Sequence, residues 1–124
     1  MLSMQRDRLP SPLGEFRFLT DPALLIMVSI AHEAKHGYAI MKDIERFSGL
    51  EMSAGTLYGA IARLDVRGWI EEVQTTNYRR RPFRLTREGV HALRDHLEFL
   101  DNISALGLQR IQATRGKRKG AIAK

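Results

Sequence analysis

The 124-residue sequence predicts a mostly α fold with a small β-hairpin, a winged helix-turn-helix plus a long C-terminal dimerisation helix. Three observations predict it. Three apolar-striped helical segments follow one another before residue 69, each closed by a glycine or a change of pattern. Two short strand-like runs then flank a polar, arginine-rich turn. From residue 87 onward, one long helical segment carries two apolar stripes.

The elements can be justified in order. Residues 1–19 hold Pro10, Pro12 and Gly14 and read as a loose N-terminal arm. Thr20-Asp21-Pro22 is a helix start, a capping side chain followed by proline in the first turn. Leu24 to Val28 and Ile30 are apolar on nearly every side, so this helix belongs in the middle of a domain and should end near Lys35, before Gly37. A second helix is expected from about Tyr38 to Ser48, with Ile40, Met41, Ile44 and Phe47 on one face and Gly49 as its stop. Ser53 caps a third, about Ala54 to Arg67, with Leu57, Ile61 and Leu64 as its buried stripe.

Trp69 to Gln74 alternates enough for a strand, TTNYRRRP is turn-like, and Phe83-Arg84-Leu85 is a short return strand. Thr86 caps a last helix, roughly Arg87 to Gln112, with Gly107 as its weak point. The expected organisation is an arm (1–19), a winged-helix domain (20–86), a dimerisation helix (87–113) and a basic disordered tail (114–124).

Composition narrows the function. Without cysteine there is no disulfide scaffold or thiolate metal site, and the reducing cytoplasm is the default compartment. The N-terminus shows no secretory signal, and the longest apolar run, Ala23 to Ala31, is too short to span a bilayer. The net charge of +6 is local: from Asn102 onward there are six basic residues and no acidic one, leaving 14 basic against 14 acidic residues before it. A high isoelectric point therefore says little about what the folded part binds.

The third helix offers more. At about 100° per residue, Gly55, Gly59, Ala62 and Val66 lie opposite the core stripe. Two glycines inside a helix each cost about 1 kcal/mol relative to alanine, so something should compensate. Thr56, Arg63 and Arg67 flank the bare strip on one side and Tyr58 on the other. A low ridge edged by hydrogen-bonding and cationic groups suits a major groove about 12 Å wide. The competing reading is close packing of a neighbouring helix against the two glycines. In the hairpin, Arg79, Arg80, Arg81 and Arg84 are interleaved with Tyr78 and Phe83, a tip able to track phosphates. Such a charge run is otherwise an ordinary solvated loop.

These same residues carry a resemblance. HGYAIMKDIE (His36 to Glu45), SAGTLYGAIARLDVRGWIE (Ser53 to Glu71) and FRLTREG (Phe83 to Gly89) resemble the PadR family of winged-helix transcriptional regulators. GTLY, Gly55 to Tyr58, is the most telling piece. The resemblance implies a homodimeric regulator of double-stranded DNA, usually a repressor, on an inverted-repeat operator and released by a small effector in many cases. It implies DNA-facing positions at Ser53, Gly55, Thr56 and Tyr58, at Tyr38, and at the wing arginines Arg79, Arg80 and Arg81. Arg63 joins them from the helical wheel. No cofactor or metal is implied.

Three departures stand out. Gly59 and Ala54 occupy positions where the family often has proline. Pro82 replaces an aromatic, so the second wing strand is expected to be shorter or differently paired. The C-terminal part resembles the compact subfamily with one long dimerisation helix. Independently, Val90, Leu93, Leu97 and Leu100 recur at helical spacing, and Phe99, Ile103 and Leu106 form a second stripe beside them. That is more apolar surface than one small domain covers, and a partner subunit is the natural remedy. The arm, through Leu13, Phe16 and Phe18, is the alternative cover.

His32-Glu33-Ala34-Lys35-His36 matches the H-E-x-x-H pattern of zinc peptidases, in which two histidines one turn apart hold the metal. Gly37 follows at once where a peptidase helix continues, and no third histidine lies at the extended spacing. His36 is expected to pack or hydrogen-bond at the link to the second helix, and Glu33 and Lys35 to face solvent. Trp69 reads as a core residue. The alternatives kept open are a winged-helix protein-interaction module and, far behind, a metallopeptidase.

Overall fold

The computed structural model describes residues 21–76 and 80–121, with side chains to residue 116. The expectations for the N-terminal arm, Thr20, Tyr78 and Arg79 lie outside the described residues. The elements are α1 (Pro22–Ser29), β1 (Lys35–His36), α2 (Gly37–Ser48), α3 (Ala54–Val66), β2 (Ile70–Glu72), β3 (Pro82–Leu85) and α4 (Arg87–Ala121). The chain divides into two compact units, Met1–Arg94 and Asp95–Lys124.

In the first unit, α1 is the central helix. Asp21 caps it by accepting from the Ala23 amide at 2.8 Å, and Ala23 to Met27 are all buried. α2 and α3 pack on it with Ile40, Ile44, Leu57, Ala60, Ile61 and Leu64. Burying such apolar side chains contributes about 1.5–3 kcal/mol each and dominates the cohesion of the unit.

α1 ends at Ser29, earlier than expected. Ile30 caps it, and the amide of Ala31 turns back to the Val28 carbonyl at 3.2 Å. Lys35 and His36 are then drawn into a sheet, antiparallel to Phe83 and Pro82. The expected hairpin is thus a three-stranded sheet in the order β1-β3-β2. A two-residue strand has too little alternation to be visible in a sequence.

Pro82 does not shorten the second wing strand. It opens β3, where no amide is required, and its carbonyl accepts from the Val73 amide at 2.8 Å. Lys35 corrects a second expectation. Its ammonium donates to the Ser29 carbonyl and lies 3.9 Å from Asp43, while Ser29 Oγ donates to Asp43 at 2.8 Å. These contacts tie the end of α1 to α2 and take Lys35 out of solvent.

The ends of α2 and α3 both use a left-handed glycine. Gly49 (φ 78°) ends α2, and Gly68 (φ 78°) follows α3. There the amides of Gly68 and Trp69 close on the carbonyls of Asp65 and Leu64 at 2.9 and 3.0 Å. Phe47 is 47 % exposed and does not join the α2 core face.

α4 is continuous through Gly107 and runs on to Ala121 instead of stopping near Gln112, so the segment read as a disordered tail begins as helix. Alanine, arginine and lysine there are good helix formers, and isolated glycines, at about 1 kcal/mol each, cost too little to break so long a helix.

Candidate nucleic-acid interface

The site is built on α3. Ser53 caps it with Oγ, accepting from the Thr56 amide at 3.1 Å, and the same hydroxyl donates to Thr56 Oγ1 at 3.0 Å. Thr56 Oγ1 therefore keeps its own proton for an outside acceptor. Leu57, Ala60, Ile61 and Leu64 face inward. Gly55, Gly59, Ala62 and Val66 are exposed.

The glycines are not packing notches. A side chain built at Gly59 meets nothing within 4 Å, and one at Gly55 meets only Ser53 Oγ at 4.0 Å. Within the chain the outer face of α3 is a low open ridge. Thr56, Tyr58 and Arg63 are exposed beside it, Tyr58 to 50 %. Arg67 caps the C-terminal end, its guanidinium 5.1 Å from the centre of the Trp69 ring, and Trp69 is half-buried.

α2 contributes Tyr38, 64 % exposed at the second helical position, with the Lys42 ammonium 5.8 Å from its ring centre. Sequence reasoning missed Lys42. The spacing of four between Tyr38 and Lys42 on one helix face was the available signal.

In the wing, two of the described arginines face carboxylates. Arg84 Nε lies 2.8 Å from Glu71, and Arg81 Nε lies 3.2 Å from Glu72. Glu71 is the register partner of Arg84. Arg80 is exposed. The acidic pair in WIEE was legible, but its alignment with the arginines depends on the strand register. All these groups remain partly exposed, so each ion pair is a modest, salt-screened interaction.

HEAKH is not helical. His32 sits in the turn after α1, 3.6 Å from Glu33, while His36 caps α2 through Nδ1, which accepts from the Ala39 amide at 3.3 Å. With Nδ1 accepting, the neutral ring carries its proton on Nε2 and has no second lone pair for a zinc ion. Among the described residues no group of three His, Asp or Glu could hold a metal ion. No helix among them is long and apolar enough to cross a membrane.

On α4, Leu93 is 4 % exposed and belongs to the core of the first unit, and Val90 is half-buried. Leu93 is thus spent within the chain and corrects the expected dimerisation stripe. In the second unit Leu100 is half-buried, whereas Leu97, Phe99, Ile103, Leu106, Leu108 and Ile111 are exposed.

A helix-turn-helix with an open helical ridge beside an arginine-bearing wing defines the class of DNA-binding winged-helix proteins. The chain belongs to the transcriptional regulator PadR-like family, whose family model matches residues 26–95. Members of this family are transcription regulators and not enzymes.

An uncharacterised 37.1 kDa protein in transposon TN4556 of Streptomyces fradiae is 34% identical over 84 residues, 68% of this chain. The chain spans about a quarter of that protein's length, 24%. A PadR family transcription regulator from Clostridium difficile shares the fold with TM-score 0.64 and 22% identity, over 73% of this chain and 97% of that one. RosR of H. salinarum is 26% identical, with TM-score 0.60 over 78% of this chain and 97% of its own.

Proposed function

We propose that the chain is a sequence-specific, DNA-binding transcriptional repressor, acting as a homodimer on an inverted-repeat operator. The observation that carries this reading is the ridge of α3, where Gly55 and Gly59 leave the backbone open to solvent between Thr56, Tyr58 and Arg63. Two interior glycines weaken a helix by about 1 kcal/mol each. A surface that must lie close to stacked base pairs gives that loss a purpose.

In this reading α3 enters the major groove. Thr56 and Tyr58 meet base edges, Ser53 and Arg63 meet the backbone at the groove walls, and Tyr38 with Lys42 holds a phosphate beside them. Arg80 and Arg81 would contact the neighbouring strand, with Arg79 as a further candidate from the sequence. The basic residues beyond Asn102 add sequence-independent affinity.

The apolar residues Leu97, Ile103 and Leu106, exposed on α4, support a second copy as the partner, and a twofold dimer reads an inverted repeat. A small-molecule effector between the paired α4 helices would then couple ligand to DNA, and the protein would work in the cytoplasm, on the nucleoid.

The test is selection of bound duplexes from a random pool with the purified full chain. The expected result is an enriched inverted repeat. DNA binding without enrichment of any sequence would instead indicate a winged-helix interaction module, and the reading would fail.

A further inference from the structure

We infer that Gly37 is a positioning residue for DNA discrimination, holding the phenol of Tyr58 in place on the recognition helix from the neighbouring helix α2. Gly37 is the first residue of α2 and is buried. A methyl group built on it would overlap the Tyr58 hydroxyl and would stand 2.9 Å from Tyr58 Cζ and 3.2 Å from Leu57 Cδ2. Gly37 is not among the positive-φ glycines, so its backbone would accept alanine. What excludes a side chain is the ring.

Tyr38 and Tyr58, both exposed, therefore behave differently. Tyr38 stands out from α2 beside Lys42. Tyr58 lays its hydroxyl end over Gly37 and keeps half of its surface exposed. A long aromatic side chain on an exposed helix face ordinarily samples several rotamers. Seated on Gly37, the ring holds one, and its exposed edge is presented at a set height above the glycine ridge. Preorganisation of this kind matters because a side chain that must be ordered on binding costs about 0.5–1.5 kcal/mol. Three consecutive residues thus have separate tasks at the start of α2: His36 caps the helix, Gly37 seats Tyr58, and Tyr38 faces solvent.

This inference rests on the proposed contact of Tyr58 with DNA. The experiment compares Gly37→Ala, Tyr58→Ala and the double variant with the unaltered protein. The probes are the duplex enriched by the unaltered protein from a random pool and a random duplex of equal length. The Tyr58 ring resonances, assigned by Tyr→Phe substitution, are followed in parallel.

Gly37→Ala is expected to shift the Tyr58 ring resonances. It should also lower the preference for the enriched duplex at least about fivefold, the small end of a base-edge contact. In the Tyr58→Ala background the same change should alter the preference less than twofold. Should Gly37→Ala destabilise the fold, the double variant should restore the thermal midpoint, because the overlap has been removed.

An unmoved Tyr58 resonance in Gly37→Ala overturns the inference whatever the DNA does. If Tyr58→Ala lowers the preference and Gly37→Ala does not, the inference fails and the DNA reading stands. If Tyr58→Ala leaves the preference unchanged, the DNA role of Tyr58 and the inference fall together.

Discussion

Arg84 Nε donates to the Glu71 carboxylate at 2.8 Å, across a strand pair in which the two residues are register partners. Arg81, just before β3, places its Nε 3.2 Å from Glu72, whose register partner is Phe83. Part of the charge of Arg81 and Arg84 is thereby offset. Substituting Glu71 and Glu72 together with Gln should free both guanidinium groups for phosphate. The log–log salt slope for a random duplex should steepen by about 0.9 for each new phosphate contact. Anisotropy titrations over a range of salt would measure it, and an unchanged slope would show that these arginines do not reach the backbone.

Gly59 separates stability from function. No atom lies within 4 Å of a side chain placed there, so Gly59→Ala should stabilise the protein by about 1 kcal/mol through helix propensity. The added methyl should also lift α3 away from the bases and weaken operator binding. Denaturant unfolding and a binding titration on one preparation should move in opposite directions. A stabilised variant with full affinity would place the DNA surface elsewhere.

Ser53 carries two bonds from one hydroxyl, to the amide and to Oγ1 of Thr56. Ser53→Ala should cost about 1 kcal/mol in urea unfolding, the ordinary loss for a helix cap. Ser53→Asp should recover the cap and lose affinity, since it adds a negative charge beside the phosphates.

Gly89 has no room for a side chain, because a methyl group there would overlap the Trp69 carbonyl, which already accepts from the Thr86 amide at 3.0 Å. Backbone cannot step aside as a flexible side chain does. Gly89→Ala should destabilise the protein by about 2 kcal/mol or more. Trp69 is the single tryptophan, so its fluorescence reports the shift directly.

His96 is 2 % exposed, and desolvation by burial holds its pKa below the ordinary value of 6.5. Between the lowered value and 6.5 the unfolded chain binds the proton and the folded chain does not. Its contribution to stability is therefore present above about pH 6.5 and is lost as the pH falls below it. The melting temperature should decline on acidification, and less so in His96→Leu. Equal declines would show that other groups govern the acid limb.

The helices were legible because their signals are local. Asp21, Ser53, Gly49 and Gly68 mark the ends, and the spacing of Leu57, Ile61 and Leu64 reveals the inner face. The exposed ridge followed from the same wheel, since helical periodicity assigns both faces at once. The early end of α1 was hidden. HEAKH looks helical by pattern, yet Lys35 and His36 pair with Phe83 and Pro82, residues far along the chain. Long-range pairing leaves no mark on a two-residue segment.

By itself, the sequence determined the helix order, the turn between α2 and α3, the bare outer face of α3 and the family to which these belong. Each depends on residues within a turn or two of one another. Only the tertiary structure decided that Arg81 and Arg84 face carboxylates, that Leu93 is spent in the core, and that Gly37 seats the ring of Tyr58. Those relations join residues distant in the chain, and they are set by strand register and helix packing, where a shift of one position changes every partner.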